Sequence, residues 1–307
     1  MYEAVIIGGG PAGLAATMYC VRKGMDILMV TATMGGKSVL GLNLPEMAEY
    51  HVLKAREQVH IFRGRVEYLG HVWRRGRVAR VTEEDGVFHL TLTDVAGSEE
   101  IHAERLIVAT GTTPRPLGVP GEQEFFGRAL GSSAVSYSHL LRERTVAVIG
   151  DSDRAVEAAL ECATQAEHVI LILEPGAAYF PDHLSLLEHR ENVAIYNGYR
   201  VLEIEGDTFA RSVTISKEAD AEDDRTSIGA DAFFVEREPQ RNSAIVSHLV
   251  VHTESGEIHI DAQNRTSNSR IFAAGDVTTV GIEQILVALG EGARAGLSAY
   301  RHFSMRR

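Results

Sequence analysis

The chain has little of what several protein classes need. It carries two cysteines in 307 residues, Cys20 and Cys162, far apart and each in a stretch with helical spacing. That usage excludes a disulfide framework or a cysteine-rich metal motif, so both thiols read as buried and structural. Basic residues are outnumbered, 30 against 42 acidic, for a formal net charge of −12. Such an excess argues against nucleic acid or an anionic membrane as main partner. No run of about 18 apolar residues exists to cross a bilayer. The chain opens on a strand without a charged leader or cleavage site, so the expected location is cytoplasmic. His51, His60, His102, His139 and His189 show no metal-ligand spacing, and no metal is expected. Ser132, Ser133, Ser136 and Ser138 lack the surroundings of a nucleophilic serine.

What the chain does have is glycine at turning points. Ala4-Val5-Ile6-Ile7 reads as a buried parallel strand, and Leu14 to Lys23 carries Ala and Leu at helical spacing. Between them stands Gly8-Gly9-Gly10-Pro11-Ala12-Gly13, the strand–turn–helix setting that a dinucleotide fingerprint requires. Gly8 permits the tight turn, Gly10 lets the backbone approach a pyrophosphate, and Gly13 lets helix and strand pack. One element is missing: the acid expected about 20 residues on for a ribose hydroxyl. The second strand, Ile27-Leu28-Met29-Val30, ends instead in Thr31, which offers a hydroxyl.

A β-rich stretch follows, with short strands expected at 66–69, 78–82, 87–93 and 100–102, then a buried strand, 106–111, ending at a glycine. A second strand–turn–helix unit starts at Thr145 to Gly150, with a helix over 154–164 and a strand over 168–173. A third such corner, Ile271 to Val277, precedes a helix over 282–302. Its Gly275-Asp276 is either a capped strand stop or a carboxylate for a polyol hydroxyl. Pro114-Arg115-Pro116 and Glu238-Pro239 read as hinges, and the acidic run 218–224 as a solvated hairpin tip. The fold expected is α/β, with two Rossmann-like dinucleotide-binding domains, the second inserted into the first.

Several separated motifs then coincide. They are the turn at 8–13, Met34-Gly35-Gly36-Lys37, Ala109-Thr110-Gly111-Thr112-Thr113-Pro114-Arg115, and Ala273 to Thr278 with Glu283-Gln284. By these the chain resembles the thioredoxin-reductase-like flavoproteins over nearly its whole length. The resemblance implies an FAD domain from residues 1–116 and 244–307, around an inserted NAD(P)-like domain at 117–243. It implies that Asp276 holds the FAD ribitol, that Gln284 lies near the flavin, and that Gly35, Gly36 and Asn43 line the cofactor. It also implies a homodimer. Lys37 stands where many relatives have Gln; it either stabilises an anionic reduced flavin or is simply solvated.

Against that pattern two features break. Relatives carry Cys-x-x-Cys and then Asp where this chain has Ser133, Ser136 and Tyr137. A hydroxyl forms no disulfide and is no thiolate at neutral pH, so dithiol chemistry is excluded there. In the inserted domain, Gly150-Asp151-Ser152-Asp153 replaces the second glycine fingerprint and adds negative charge. Glu174 repels a 2′-phosphate, which speaks against NADPH, yet stands about where a ribose acid belongs. NADH, a second FAD, or a domain kept only for packing all remain open. His139, near the former redox loop, is either a proton donor to the flavin or a surface imidazole.

The function expected is an FAD-dependent oxidoreductase passing electrons directly between flavin and a small molecule, a carrier protein or a second flavin. The alternative is a non-catalytic flavin-binding scaffold. A ferredoxin-like carrier would need a basic face, for which Arg56, Arg63, Arg65, Arg74, Arg75, Arg77 and Arg80 cluster around Trp73. Such residues on exposed hairpins equally serve solubility.

Overall fold

In the computed structural model, residues 1–45, 55–95, 97–217 and 224–305 are described. Residues 218–223 of the acidic run lie outside them. The chain divides into two compact units, Met1–Val39, His51–Thr113 and Arg241–Arg307 forming one, and Leu40–Tyr50 with Pro114–Gln240 the other.

The first unit is built on a five-stranded parallel sheet in the order Ile271–Ala273, Leu106–Val108, Ala4–Ile7, Ile27–Thr31, Trp73–Arg75. Its inner strands are buried along their whole length and apolar except for the terminal Thr31, because both faces are covered. Helices Pro11–Arg22 and Ile285–Ser304 pack against each other so closely that a Cβ on Gly292 would stand 1.9 Å from the Ala12 carbonyl oxygen. A three-stranded antiparallel sheet, Arg77–Glu84, Val87–Asp94 and Gly97–Ala103, completes this unit.

The second unit repeats the plan. Its parallel sheet runs Val193–Asn197, His168–Ala178, Thr145–Ser152, Ala232–Val235, Leu130–Gly131. Helix Asp153–Cys162 packs on it, burying Ala155, Val156, Ala158, Ala159 and Cys162. Antiparallel strands Arg200–Gly206, Ala210–Ser216 and Thr226–Gly229 form its second sheet.

One expected strand is corrected. Residues 66–69 belong to helix Ala55–Tyr68 and its end, not to a strand. Val59 and Val66 are buried seven residues apart, the helical repeat, and Arg63 pairs with Glu67 at the i,i+4 distance. A short valine-containing window holds too few residues to tell period 2 from period 3.6. Among the described residues no helix is long and apolar enough to cross a membrane.

Candidate functional site

The first unit gathers its site around the turn after Ile7. Gly8 takes φ 112°, and a Cβ on Gly13 would lie 1.9 Å from the Gly8 carbonyl oxygen, so no side chain fits there. Gly10 is the N-cap of helix Pro11–Arg22 and carries no capping side chain, and Pro11 opens the helix without an N–H to satisfy. A Cβ on Gly10 would meet nothing nearer than the Gly36 Cα at 4.0 Å. Uncapped amides at a helix start, with room in front of them, suit an anion such as a pyrophosphate.

Other motifs converge on this turn. The Gly35 N–H donates to the Gly9 carbonyl at 2.7 Å, and a Cβ on Gly36 would stand 2.9 Å from the Gly10 Cα. A Cβ on Gly275 would approach the Ala12 Cβ to 3.0 Å. Thr31 is buried with its hydroxyl donating to the Thr33 carbonyl at 2.8 Å. Thr110 and Gly111 are fixed by Asn242, which accepts from the Thr110 hydroxyl at its carbonyl and donates its own N–H to Gly111. Gln284 is the N-cap of helix Ile285–Ser304, again without a side-chain cap bond. Behind Gly275, the buried Glu291 accepts its N–H at 2.6 Å, and burial raises that carboxyl above its ordinary value.

Lys37 is half-buried and engaged on three sides. Its Nζ lies 2.8 Å from Asp276 Oδ2, 2.8 Å from Glu283 Oε2 and 2.6 Å from the Thr112 hydroxyl. Arg241 adds a second cation, bridging Glu283 and Glu257. The lysine therefore fixes the two carboxylates of the C-terminal motif. Sequence reading named Lys37, Asp276 and Glu283 but missed that they form one cluster, and it missed Asn242, Arg241 and Glu291.

Asn43 belongs to the second unit, where its N–H and Nδ2 both donate to the Gly127 carbonyl.

The second unit holds the remaining candidates. The Ser133 and Ser136 hydroxyls hydrogen-bond each other at 2.8 Å, at the start of the short helix Ala134–Tyr137. Tyr137 stacks on Phe234, and its hydroxyl accepts the Leu42 N–H at 3.3 Å. His139 is exposed. The thiols stand elsewhere in their units, on helices Pro11–Arg22 and Asp153–Cys162, and burial pushes each up to about 12.

The second glycine turn is built differently from the first. A Cβ on Gly150 would strike the Glu236 carbonyl oxygen at 2.4 Å, so this glycine serves packing. The strand does not stop after it: Ser152 pairs with Ala178 beyond a register break. Asp151, Asp153, Glu174 and Glu236 each have a partner in the unit. Asp151 pairs with Arg115, and Glu174 is gripped by Arg237, whose guanidinium is thereby held above its ordinary value. Asp153 accepts the Phe180 N–H at 3.0 Å and faces His183 Nδ1 at 2.8 Å. Glu236, almost fully buried, accepts from Ala134 N–H at 2.6 Å and Arg154 Nε at 2.9 Å.

Comparison with known proteins agrees with this architecture. The chain is 32% identical to an alkyl hydroperoxide reductase component from Pseudomonas aeruginosa over 98% of its own length and 58% of that protein's. It is 28% identical to an NADH dehydrogenase of Bacillus subtilis, over 97% and 58% respectively. The chain thus spans somewhat over half the length of these curated relatives. Thioredoxin reductase from Streptococcus pyogenes MGAS5005 superposes with a TM-score of 0.86 at 25% identity, covering 99% of each chain. The family described as pyridine nucleotide-disulphide oxidoreductase matches residues 2–292. The glycine turn, with its uncapped helix start, fits the FAD that this family binds. The chain belongs to the FAD-dependent pyridine nucleotide-disulphide oxidoreductase family.

Proposed function

We propose that this oxidoreductase exchanges electrons directly between its flavin and a small molecule, a carrier protein or a second flavin, with no dithiol relay and without NADPH. The observation that carries it is the pair of hydroxyls, Ser133 and Ser136, 2.8 Å apart where the family's resemblance places two thiols. Serine oxygens cannot shuttle electrons, and both cysteines are buried with thiols held protonated.

Bound FAD would supply the redox chemistry, and the protein supplies position and electrostatics. Gly8, Gly10, Pro11, Ala12 and Gly13 would hold the pyrophosphate end, with Thr31 beside the adenosine. Asp276 would accept a ribitol hydroxyl, oriented for it by Lys37. Glu283 and Gln284 would border the flavin, with Thr110, Gly111, Gly35 and Gly36 as walls. In this family NAD(P)H occupies the second domain. The residues at 150–154 and 174 do not fit a dinucleotide well. Asp153 brings a carboxylate to the helix start where a pyrophosphate would sit, and a ribose would have to displace Arg237 from Glu174. Asp151 and Asp153 add repulsion toward any further phosphate.

A homodimer and a ferredoxin-like carrier belong to the same reading. The basic stretch is a modest docking face, because Arg63 and Arg74 already pair with Glu67 and Glu99. Anaerobic mixing of the flavin-loaded protein with NADPH, NADH and reduced ferredoxin tests the proposal, with flavin absorbance as readout. NADPH should leave the flavin oxidised while another donor bleaches it. Rapid, saturable bleaching by NADPH, or reduction of thioredoxin, would contradict it. Reduction by dithionite alone would favour the non-catalytic scaffold.

A further inference from the structure

Two clusters of three metal-capable side chains stand among the described residues, one in each unit. Asp153, Glu157 and His183 lie at the start of helix Asp153–Cys162, where the helix dipole opposes a cation, and Asp153 is already engaged by Phe180 N–H. His248 and His252 have HxxxH spacing, but each ring faces a main-chain carbonyl, Val81 and Thr253, rather than the other ring. The remaining cluster has neither drawback.

His89 on strand Val87–Asp94 is directly opposite His102 on strand Gly97–Ala103. Glu100 precedes His102 by two residues, so the strand's alternation puts all three side chains on one face. Glu100 Oε1 lies 3.2 Å from His89 Nδ1 and 2.7 Å from His102 Nε2, and the rings meet edge to face at 4.6 Å. Zinc bonds of about 2.0–2.2 Å in a tetrahedron put ligand atoms about 3.4 Å apart. Both Glu100 separations lie near that value, and all three donor atoms fall within 4.8 Å of one another.

We propose that His89 Nδ1, His102 Nε2 and the Glu100 carboxylate form a zinc site on the exposed face of this antiparallel sheet. Two imidazoles with one carboxylate select a borderline divalent transition metal over magnesium or calcium, which prefer oxygen donors. Three protein ligands leave a fourth position for water. The ion would tie two neighbouring strands together, a role separate from the flavin chemistry.

The test is titration of tag-free, flavin-loaded, EDTA-treated protein with zinc sulfate against a chromophoric zinc indicator. About one zinc per chain should bind at micromolar zinc. Glu100→Gln, His89→Gln and His102→Gln should each weaken binding by at least about tenfold, while the Asp153→Asn, His183→Gln double variant should bind as before. Retained flavin content would show that each variant is folded. Zinc should also raise the melting temperature of the unsubstituted chain and not that of the His89→Gln, His102→Gln pair. Absence of saturable binding would overturn the proposal and leave a hydrogen-bonded trio. So would binding that survives the paired histidine substitution, or binding lost with the Asp153 variant.

Discussion

Gly10 and Ser152 hold equivalent places in the two units, each the extended N-cap of the helix that follows the central strand of its parallel sheet, and neither gives a side-chain cap bond. Around Gly10 the strand has already ended, no acidic residue stands in the first helical turn, and space lies in front. Around Ser152 the strand continues, Asp153 begins the helix, and Glu174 across the turn is bound to Arg237. One topology thus supports opposite electrostatics at the same point. A Rossmann-like unit is a scaffold, and whether it can receive an anion depends on the few side chains at its first helix start.

Substitutions can break this contrast, and the largest effect is expected at Gly13. In Gly13→Ala the new Cβ would meet the Gly8 carbonyl at 1.9 Å. The backbone must move, at about 3 kcal/mol or more, and flavin per purified chain should fall more than about tenfold. Gly150→Ala provides the counterpart. Its clash at 2.4 Å with Glu236 should lower stability by about 1–3 kcal/mol in denaturant titration, with flavin content unchanged. Equal loss of flavin in both variants would erase the distinction between the turns.

A third variant sharpens the account of the redox loop. With the Ser133 and Ser136 oxygens 2.8 Å apart, Ser133→Cys with Ser136→Cys should close a disulfide after small rotations. Thiol titration in denaturant should then count only Cys20 and Cys162 after oxidation and four thiols after reduction. The variant should still not reduce thioredoxin with NADPH, since the nucleotide turn stays closed. The smallest effect belongs to Lys37→Gln, which leaves Asp276 and Glu283 without their shared cation. Because solvent screens this partly exposed lysine, its loss should weaken flavin binding only a few-fold, measured by equilibrium dialysis.

Much of this was legible from local sequence. The alternation of buried strands and helices, the turn at 8–13 and the α/β class follow from contiguous residues. Other features depend on distant partners. Asp153 reads as an added charge until Phe180 and His183, about thirty positions on, are brought to it. Lys37 reads as flavin-facing or solvated until Asp276 and Glu283 fold back onto it. His89 and Glu100 share a face only through strand register, which no motif spacing records. The window 66–69 failed for a local reason, being too short to show its helical period.

The most direct test of the contrast is to count flavin. Protein purified without added cofactor is denatured, and the released flavin is quantified per chain by chromatography against FAD and FMN standards. An open first turn and a closed second one predict about one FAD per chain. About two FAD per chain would place a dinucleotide at the turn bounded by Asp151, Asp153 and Glu174, contradict the closed second turn and make a second flavin the electron partner.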